Sequence, residues 1–369
     1  MKEQAVRLLD ESLGNPASPH SWGDNAGRHL VRTRAILSEA FGAKETRFVF
    51  TSGGSEANTT VLRSFAKRHG RAARFVTSAV EHSSVLATVR QLEAEGHDVE
   101  VLPVDREGLV FQEDLASALG RGPTLVSIQW VNNETGVIQN IPGLLKTAHA
   151  RGAEFHVDAA QAIGKLAISL ADLPLDYLTM TGHKFHAPQG VGVLYANNLS
   201  LLEPLIGGGE QEGGLRPGTP NTLGIALLGV ALAERLEKSE EKNAHLARLC
   251  ETFERTILQR CEGSQVNSRN APRVANTTNL RFMGLDGRAL VAQLDVAGVI
   301  CSQASACTSA IPEPSHVLTA MGLSEDEAWG SVRFSFSVLN TLEEAQRAAE
   351  TVVGVVEKMV ESEETYSLA

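Results

Sequence analysis

The sequence predicts an α/β protein with a mostly parallel, seven-stranded sheet in a large domain, followed by a smaller α+β domain. Three observations predict it. The chain has 369 residues, 43% of them hydrophobic, which is too many for one small core and enough for two domains with a cleft. Through the first two thirds, short β-rich runs alternate with helical patterns, the arrangement that gives a parallel sheet covered on both faces. Past Cys261 this alternation gives way to a mixed pattern of strands and helices.

Seven strands are expected, at Arg47–Phe50, Arg74–Thr77, Val99–Pro103, Thr124–Val131, Glu154–Val157, Tyr177–Met180 and Val191–Ala196. Several are nearly continuous in apolar residues, as strands buried on both faces are. Helices are expected between them at Ser55–His69, Ser83–Glu95 and Ile141–Ala150. Ile225–Cys261 reads as helical throughout, apolar first and charged over Arg235–Lys242, and is expected to join two domains, 13–240 and 241–369. In the second, strands are expected near Thr277–Phe282, Val299–Cys301 and Val332–Ser337, and helices near Gly287–Val296 and Leu342–Val360. Thr341-Leu-Glu-Glu344 is a capping box for the last helix, and the acidic tail Glu357–Ala369 is expected to fray.

A formal net charge of −11 argues against broad binding to nucleic acid or an anionic membrane, since both need basic patches. No apolar run approaches bilayer-spanning length, and the N-terminus has no apolar core of a signal peptide. Cys250, Cys261, Cys301 and Cys307 show neither C-x-x-C pairing nor metal-finger spacing, so no metal site is expected. A reducing cytoplasm is the simplest setting.

Four segments carry chemistry. Phe50-Thr-Ser-Gly-Gly-Ser-Glu-Ala-Asn58 runs from a strand through small residues into a helix; the turn suits a phosphate at the positive helix end, with Gly53, Gly54 and the Ser55 hydroxyl, and equally suits an ordinary turn with Ser55 as N-cap. His156-Val-Asp-Ala-Ala-Gln161 puts Asp158 at a strand's C-terminal end, facing the usual ligand crevice or simply capping a helix. Thr181-Gly-His-Lys-Phe185 follows another strand; Lys184 there fits a partly buried Schiff-base lysine, or a surface charge. Cys307 stands in the run Cys301-Ser-Gln-Ala-Ser-Ala-Cys-Thr-Ser-Ala-Ile-Pro-Glu-Pro314, whose composition marks an exposed loop where a thiol is a nucleophile or incidental.

Together with Leu13-Gly-Asn-Pro-Ala-Ser18, Glu81-His82, Val131-Asn-Asn-Glu-Thr-Gly136, Gly207-Gly-Gly-Glu-Gln-Glu-Gly213, Arg216-Pro-Gly-Thr219, Glu313-Pro-Ser-His316 and Ser331-Val-Arg-Phe-Ser335, these segments resemble the cysteine desulfurases, NifS/IscS branch, of the class V aminotransferases. The resemblance runs from Leu13 to about Ala345. It implies a fold-type I transferase dependent on pyridoxal 5'-phosphate, working as an obligate homodimer. It implies that Lys184 holds the cofactor, that Asp158 pairs with the ring nitrogen, and that Gln161 and Asn133 lie near the ring's phenolic oxygen. His82 stacks on the ring and is a candidate proton acceptor. Gly54, Ser55, Thr181 and His183 hold the phosphate, with Thr219 reaching in from the second subunit. Arg333 clamps the substrate carboxylate, and Asn133 also meets the substrate. By the same resemblance, Lys184 would take the α-proton of L-cysteine, Cys307 would take the sulfur as a persulfide, and alanine would leave. A sulfur-acceptor protein, serving iron–sulfur cluster assembly or tRNA thiolation, is expected as partner.

The chain departs from the family pattern in places. The short strand and Leu-Asp-Asn-Asn-Ala-Thr-Thr-like segment that open family members would fall before Met1, leaving the smaller domain, with residues 1–12, expected to lack its N-terminal strand. Phe336-Ser-Val-Leu-Asn340 lacks a basic residue common after Arg-Phe-Ser, Gln189-Gly190 stands where Lys-Gly is common, and the longer tail by which some relatives dock a scaffold is not expected. Two other readings therefore stand beside the desulfurase: a selenocysteine lyase or other class V enzyme, and an inactive cofactor-binding partner subunit.

Overall fold

The computed structural model describes residues 1–11, 14–120, 122–303 and 313–367, with side chains through Glu361. Its residues cluster into two compact units. The first comprises Met1–Leu102, Phe111–Trp130 and Asn140–Ser239; the second comprises Pro103–Val110, Val131–Gln139 and Glu240–Ala369.

The first unit opens with helices α1 (Lys2–Asp10) and α2 (Ser21–Phe41), then continues through β1 (Phe48–Thr51), α3 (Gly54–His69), β2 (Arg74–Ser78), α4 (Ser83–Ala94), β3 (Asp98–Leu102), α5 (Gln112–Ala118), β4 (Thr124–Gln129), α6 (Ile141–His149), β5 (Glu154–Asp158), β6 (Tyr177–Thr181), β7 (Gly192–Ala196) and α7 (Thr222–Leu236). The strands form one seven-stranded sheet in the order β1-β7-β6-β5-β4-β2-β3. All neighbours from β6 to β3 are parallel, and β7 runs antiparallel to both β6 and β1. Hence β1, β2, β4, β5 and β6 all end at the same edge, where ligands bind in open α/β sheets.

The sheet is mostly parallel because its strands are apolar on both faces: β4, β6 and β7 are buried at every residue. Val61, Leu62 and Phe65 of α3 and Val85, Val89 and Leu92 of α4 pack on Phe75, Leu125, Tyr177 and Leu194 of the sheet. Each fully buried Leu, Val or Phe contributes about 1.5–3 kcal/mol of transfer free energy, so this layer dominates the unit's stability. Helix α7 lies close against α2: a Cβ on Gly229 would meet Thr33 Oγ1 at 2.8 Å, and Thr33 donates to the Ile225 carbonyl at 3.0 Å. Leu8 of α1 is buried with Ala226 and Leu227 of α7.

The second unit contains α8 (Ser239–Arg260), β8 (Ser264–Val266), β9 (Thr277–Phe282), α9 (Gly287–Val296), β10 (Ser302–Gln303), α10 (His316–Ala320), α11 (Glu325–Trp329), β11 (Ser331–Ser335) and α12 (Leu342–Ser367). Its antiparallel sheet has the order β10-β11-β9-β8. Phe253 and Ile257 of α8, Leu290 and Leu294 of α9, and Val352, Val353 and Val356 of α12 cover Leu280, Phe282, Val332 and Phe334.

The structure corrects four sequence expectations. The helix expected over Ile225–Cys261 is two helices, parted at Glu237–Lys238, where Lys238 takes a left-handed φ of 52° that no helix can continue. The strand expected at Val299–Cys301 is instead β10, at Ser302–Gln303. The last helix continues through Ser367 where fraying from Glu357 was expected. Helices α1, α2, α5, α10 and α11 and the three-residue β8 were not anticipated. No helix among the described residues is long and apolar enough to cross a membrane.

Candidate active site

The shared strand edge of the first unit gathers most of the residues singled out by sequence. After β1, the chain turns at Ser52–Gly53 and enters α3, whose N-cap is Gly53 with no side-chain cap. The sixteen-residue helix thus leaves its first N–H groups without a capping side chain, at the positive end of its dipole. Ser55 lies in the first turn and is exposed, so it is not the N-cap. Glu56 accepts from the Ser52 N–H at 2.8 Å and from Arg216 Nε at 3.2 Å, which pins the turn from within. The close approach falls at Gly192, where a Cβ would meet Gly53 backbone carbon at 2.7 Å, whereas a Cβ on Gly53 itself would meet nothing. Gly54 packs in ordinary contact with Thr179 and Thr181 of β6.

Strand β6 carries the chain to Thr181, whose Oγ1 lies 3.1 Å from His183 Nδ1. A tight 3-10 turn over Gly182–Phe185 follows; Gly182 is required there because a Cβ would meet Ala187 at 2.9 Å. His183 is an exposed residue whose ring has nonetheless lost hydration; this, and then the charge of Lys184, lowers its pKa. Lys184 is exposed, where partial burial was expected, because its turn projects beyond the strand end.

On the neighbouring strand, Asp158 ends β5 and is only 6% exposed. Its Oδ1 accepts from the Ala160 N–H at 2.9 Å, and its Oδ2 accepts from Asn58 Nδ2 of α3 at 2.8 Å. Asn58 Nδ2 also reaches Ser84 Oγ at 2.9 Å, and Ser84 Oγ lies 2.8 Å from His82 Nδ1. His82 is the N-cap of α4, its Nδ1 accepting from the Ser84 N–H at 3.1 Å. Gln161 Oε1 is taken by Lys165 Nζ at 2.6 Å. Thr219 is exposed on the loop before α7.

Two buried groups at this edge had no role in the sequence reading. Glu81 is wholly buried; it accepts from Ser78 Oγ at 2.6 Å and from the Gln129 N–H at 2.8 and 3.0 Å. Burial is the main cause pushing its carboxyl up to about 8, with the Asp158 charge adding to it and the hydrogen bonds from Ser78 and Gln129 opposing. His156 is also wholly buried, between Ser127 Oγ at 2.9 Å and Thr179 Oγ1 at 3.0 Å, and burial pushes its imidazole down to about 3.

The second unit brings Asn133 and Arg333 together: Arg333 Nη1 donates to the Asn133 carbonyl at 3.0 Å. Beside them Glu134 is buried and accepts from Ser315 Oγ, the N-cap of α10. Burial pushes the Glu134 carboxyl up to about 7, against the Ser315 hydrogen bond and the Arg333 charge. Cys307 lies outside the described residues.

This donor set matches the needs of pyridoxal phosphate. Uncapped helix N–H groups with a hydroxyl and an imidazole suit a phosphate; a buried, doubly hydrogen-bonded carboxylate suits a protonated ring nitrogen; an amine two residues past Gly182 suits a carbonyl. Asp158, Thr181 and Lys184 share adjacent strand ends, since Asp158 pairs with Thr179 in the β5–β6 register.

The family profile of aminotransferase class-V matches residues 3–348. A cysteine desulfurase of Nostoc sp. is 37% identical over 357 residues, spanning 97% of this chain and 89% of that protein. A solved NifS-like protein superposes with a TM-score of 0.89 at 30% identity, covering 96% of this chain and 94% of that one. SspA, solved in complex with cysteine, superposes with a TM-score of 0.82 at 34% identity, covering 92% and 95%.

Proposed function

Since the chain belongs to the aminotransferase class-V family, a family of pyridoxal-phosphate enzymes, we propose that it is an active cysteine desulfurase that converts L-cysteine to L-alanine and leaves the sulfur as a persulfide on Cys307. The observation that carries this reading is the edge of the first unit, where Asp158, Thr181, His183 and Lys184 stand on adjacent strand ends beside the uncapped start of α3.

Pyridoxal phosphate, when bound, supplies an electron sink that makes the α-proton of an amino acid removable. The first turn of α3, at Gly54 and Ser55, would hold the phosphate with Thr181 and His183. Asp158 would keep the ring nitrogen protonated, with Asn133 and Gln161 at the phenolic oxygen and His82 on the ring face. Lys184 would anchor the cofactor and is the amine placed to take the α-proton. Arg333 offers a planar donor fork to the substrate carboxylate. The Cys307 thiolate then attacks the substrate sulfur: a new S–S bond forms, the C–S bond breaks, and the carbon side takes a proton to leave as alanine.

Thr219 is exposed on its loop, which supports a homodimer in which it reaches the phosphate site of a second copy. Cys250, Cys261 and Cys301 are free thiols, which supports a reducing setting such as the cytoplasm. The test is anaerobic incubation with L-cysteine, assaying alanine and protein-bound persulfide together. Lys184→Ala is expected to lose the yellow cofactor band. Cys307→Ala is expected to keep the band and form no persulfide; unchanged sulfur release by that variant would refute the role given to Cys307.

A further inference from the structure

Asn58 and Ser84 belong to no element of the reaction described above, yet they join two of its residues. Asn58 is 1% exposed, and its Nδ2 donates in two directions: to Asp158 Oδ2 at 2.8 Å and to Ser84 Oγ at 2.9 Å. Its Oδ1 is buried with no hydrogen-bond partner among the described residues. The bond to Asp158 fixes the amide's orientation. The flipped amide would set a carbonyl oxygen against the Asp158 carboxylate, two acceptors face to face, and the charge-assisted bond would be lost.

The remaining directions follow one by one. Ser84 Oγ accepts from Asn58, so its single hydrogen is free to go to its other hydrogen-bond partner among the described residues, His82 Nδ1 at 2.8 Å. The Ser84 backbone N–H also points at His82 Nδ1, at 3.1 Å, and a backbone N–H is always a donor. Nδ1 therefore faces two donors and carries no hydrogen. A neutral imidazole then carries its proton on Nε2.

We propose that Asn58 and Ser84 are positioning residues that pass one direction of hydrogen-bond donation from Asp158 to His82, fixing His82 as the Nε2–H tautomer, so that the ring presents an N–H and not a lone pair at Nε2. The place of His82 at the cofactor rests on the desulfurase reading; the tautomer does not. The assignment revises the sequence expectation of His82 as a proton acceptor. To accept a proton the ring would have to take it at Nδ1, which breaks the α4 cap from Ser84 N–H and forces the Ser84 hydroxyl to turn round.

The test is ¹⁵N NMR of the full-length protein as purified, labelled at histidine, with His82 assigned by the signal that disappears in His82→Gln. With the ring neutral, the wild type is expected to show the Nε2–H pattern alone. Ser84→Ala and Asn58→Leu each remove the directed hydroxyl and leave the backbone N–H as the one fixed donor at Nδ1, and each is expected to add a minor Nδ1–H population, which Ser84→Thr, keeping the hydroxyl, does not. An Nδ1–H ring or an even mixture in the wild type overturns the proposal, whatever the variants do. So does an unchanged tautomer in both Ser84→Ala and Asn58→Leu, with each shown folded by circular dichroism. Because the tautomer is read without substrate, a protein that shows Nε2–H but releases no sulfur from cysteine sinks the desulfurase reading alone.

Discussion

At the scale of single residues, the buried edge of the sheet stores two opposite pH dependences. Glu81 has its carboxyl pushed up from an ordinary 4.5 to about 8, chiefly by burial. The folded chain therefore holds a proton that the unfolded chain has released, and stability falls as pH rises through that window. Glu81→Gln keeps the side chain's shape and hydrogen-bonding oxygen but removes the titration. Its urea midpoint should change less between pH 5 and pH 8 than that of the wild type; an equal slope would show that Glu81 is ionised in the fold. His156 works the other way. Its imidazole is pushed from 6.5 down to about 3, so below neutrality the unfolded ring gains a proton that the buried ring refuses, and stability falls as pH drops. His156→Gln, able to bond both Ser127 and Thr179, should flatten the acid side of the same profile, and thermal melts between pH 4 and pH 7 would read it.

At the scale of elements, glycines separate what a motif advertises from what the packing requires. Gly53 stands in a conspicuous small-residue turn, but its φ of 163° is extended backbone and a Cβ there meets nothing within 4 Å. Gly192 stands in no motif, yet its Cβ would meet the Gly53 backbone at 2.7 Å and the Met180 carbonyl at 2.9 Å. Gly53→Ala should leave the melting temperature nearly unchanged. Gly192→Ala should cost about 2 kcal/mol or more, since backbone on both sides must move. Equal losses in the two variants would refute this. The same contrast explains how much was legible beforehand. The seven strands of the large sheet were found within a residue or two at most ends, because strands buried on both faces write themselves as apolar runs. The break at Glu237–Lys238 was not, because no glycine or proline marks it. Lys184 and Asp158 were legible as strand-end residues. Asn58 and Glu81 were not, because their meaning lies in contacts with residues 100 and 48 positions away. The bonds around His82 Nδ1 were not legible either, since both come from the fold around Ser84.

At the scale of the whole molecule, the chain passes between its two units five times, and the short visits matter as much as the long ones. The second unit takes most of its residues from Glu240 onward, but Pro103–Val110 and Val131–Gln139 belong to it as well. Those visitors are wired into it. Val137 bridges to Arg273, the Ile138 N–H donates to the Pro272 carbonyl at 2.8 Å, and Glu107 accepts from the Asn270 N–H at 3.0 Å and from its side chain at 2.9 Å. Asn279, buried on β9, donates to the Glu134 carbonyl at 3.3 Å, and Ser315 caps α10 while donating to the Glu134 carboxyl. A piece comprising residues 240–369 alone would lose every one of these partners, leaving Asn279 and Ser315 short of acceptors, and each buried polar group left unpaired costs about 1–3 kcal/mol. With a net stability of only about 5–15 kcal/mol to draw on, a unit of this size has little margin for such losses together with the packing that the two segments take away. Residues 240–369 expressed alone should therefore show no cooperative thermal transition, despite carrying all four strands of their sheet. Co-expression with residues 1–239, which bring back both visiting segments, should restore one. A cooperative melt of 240–369 by itself would show that the visitors are accessories, and that the smaller unit folds on its own core.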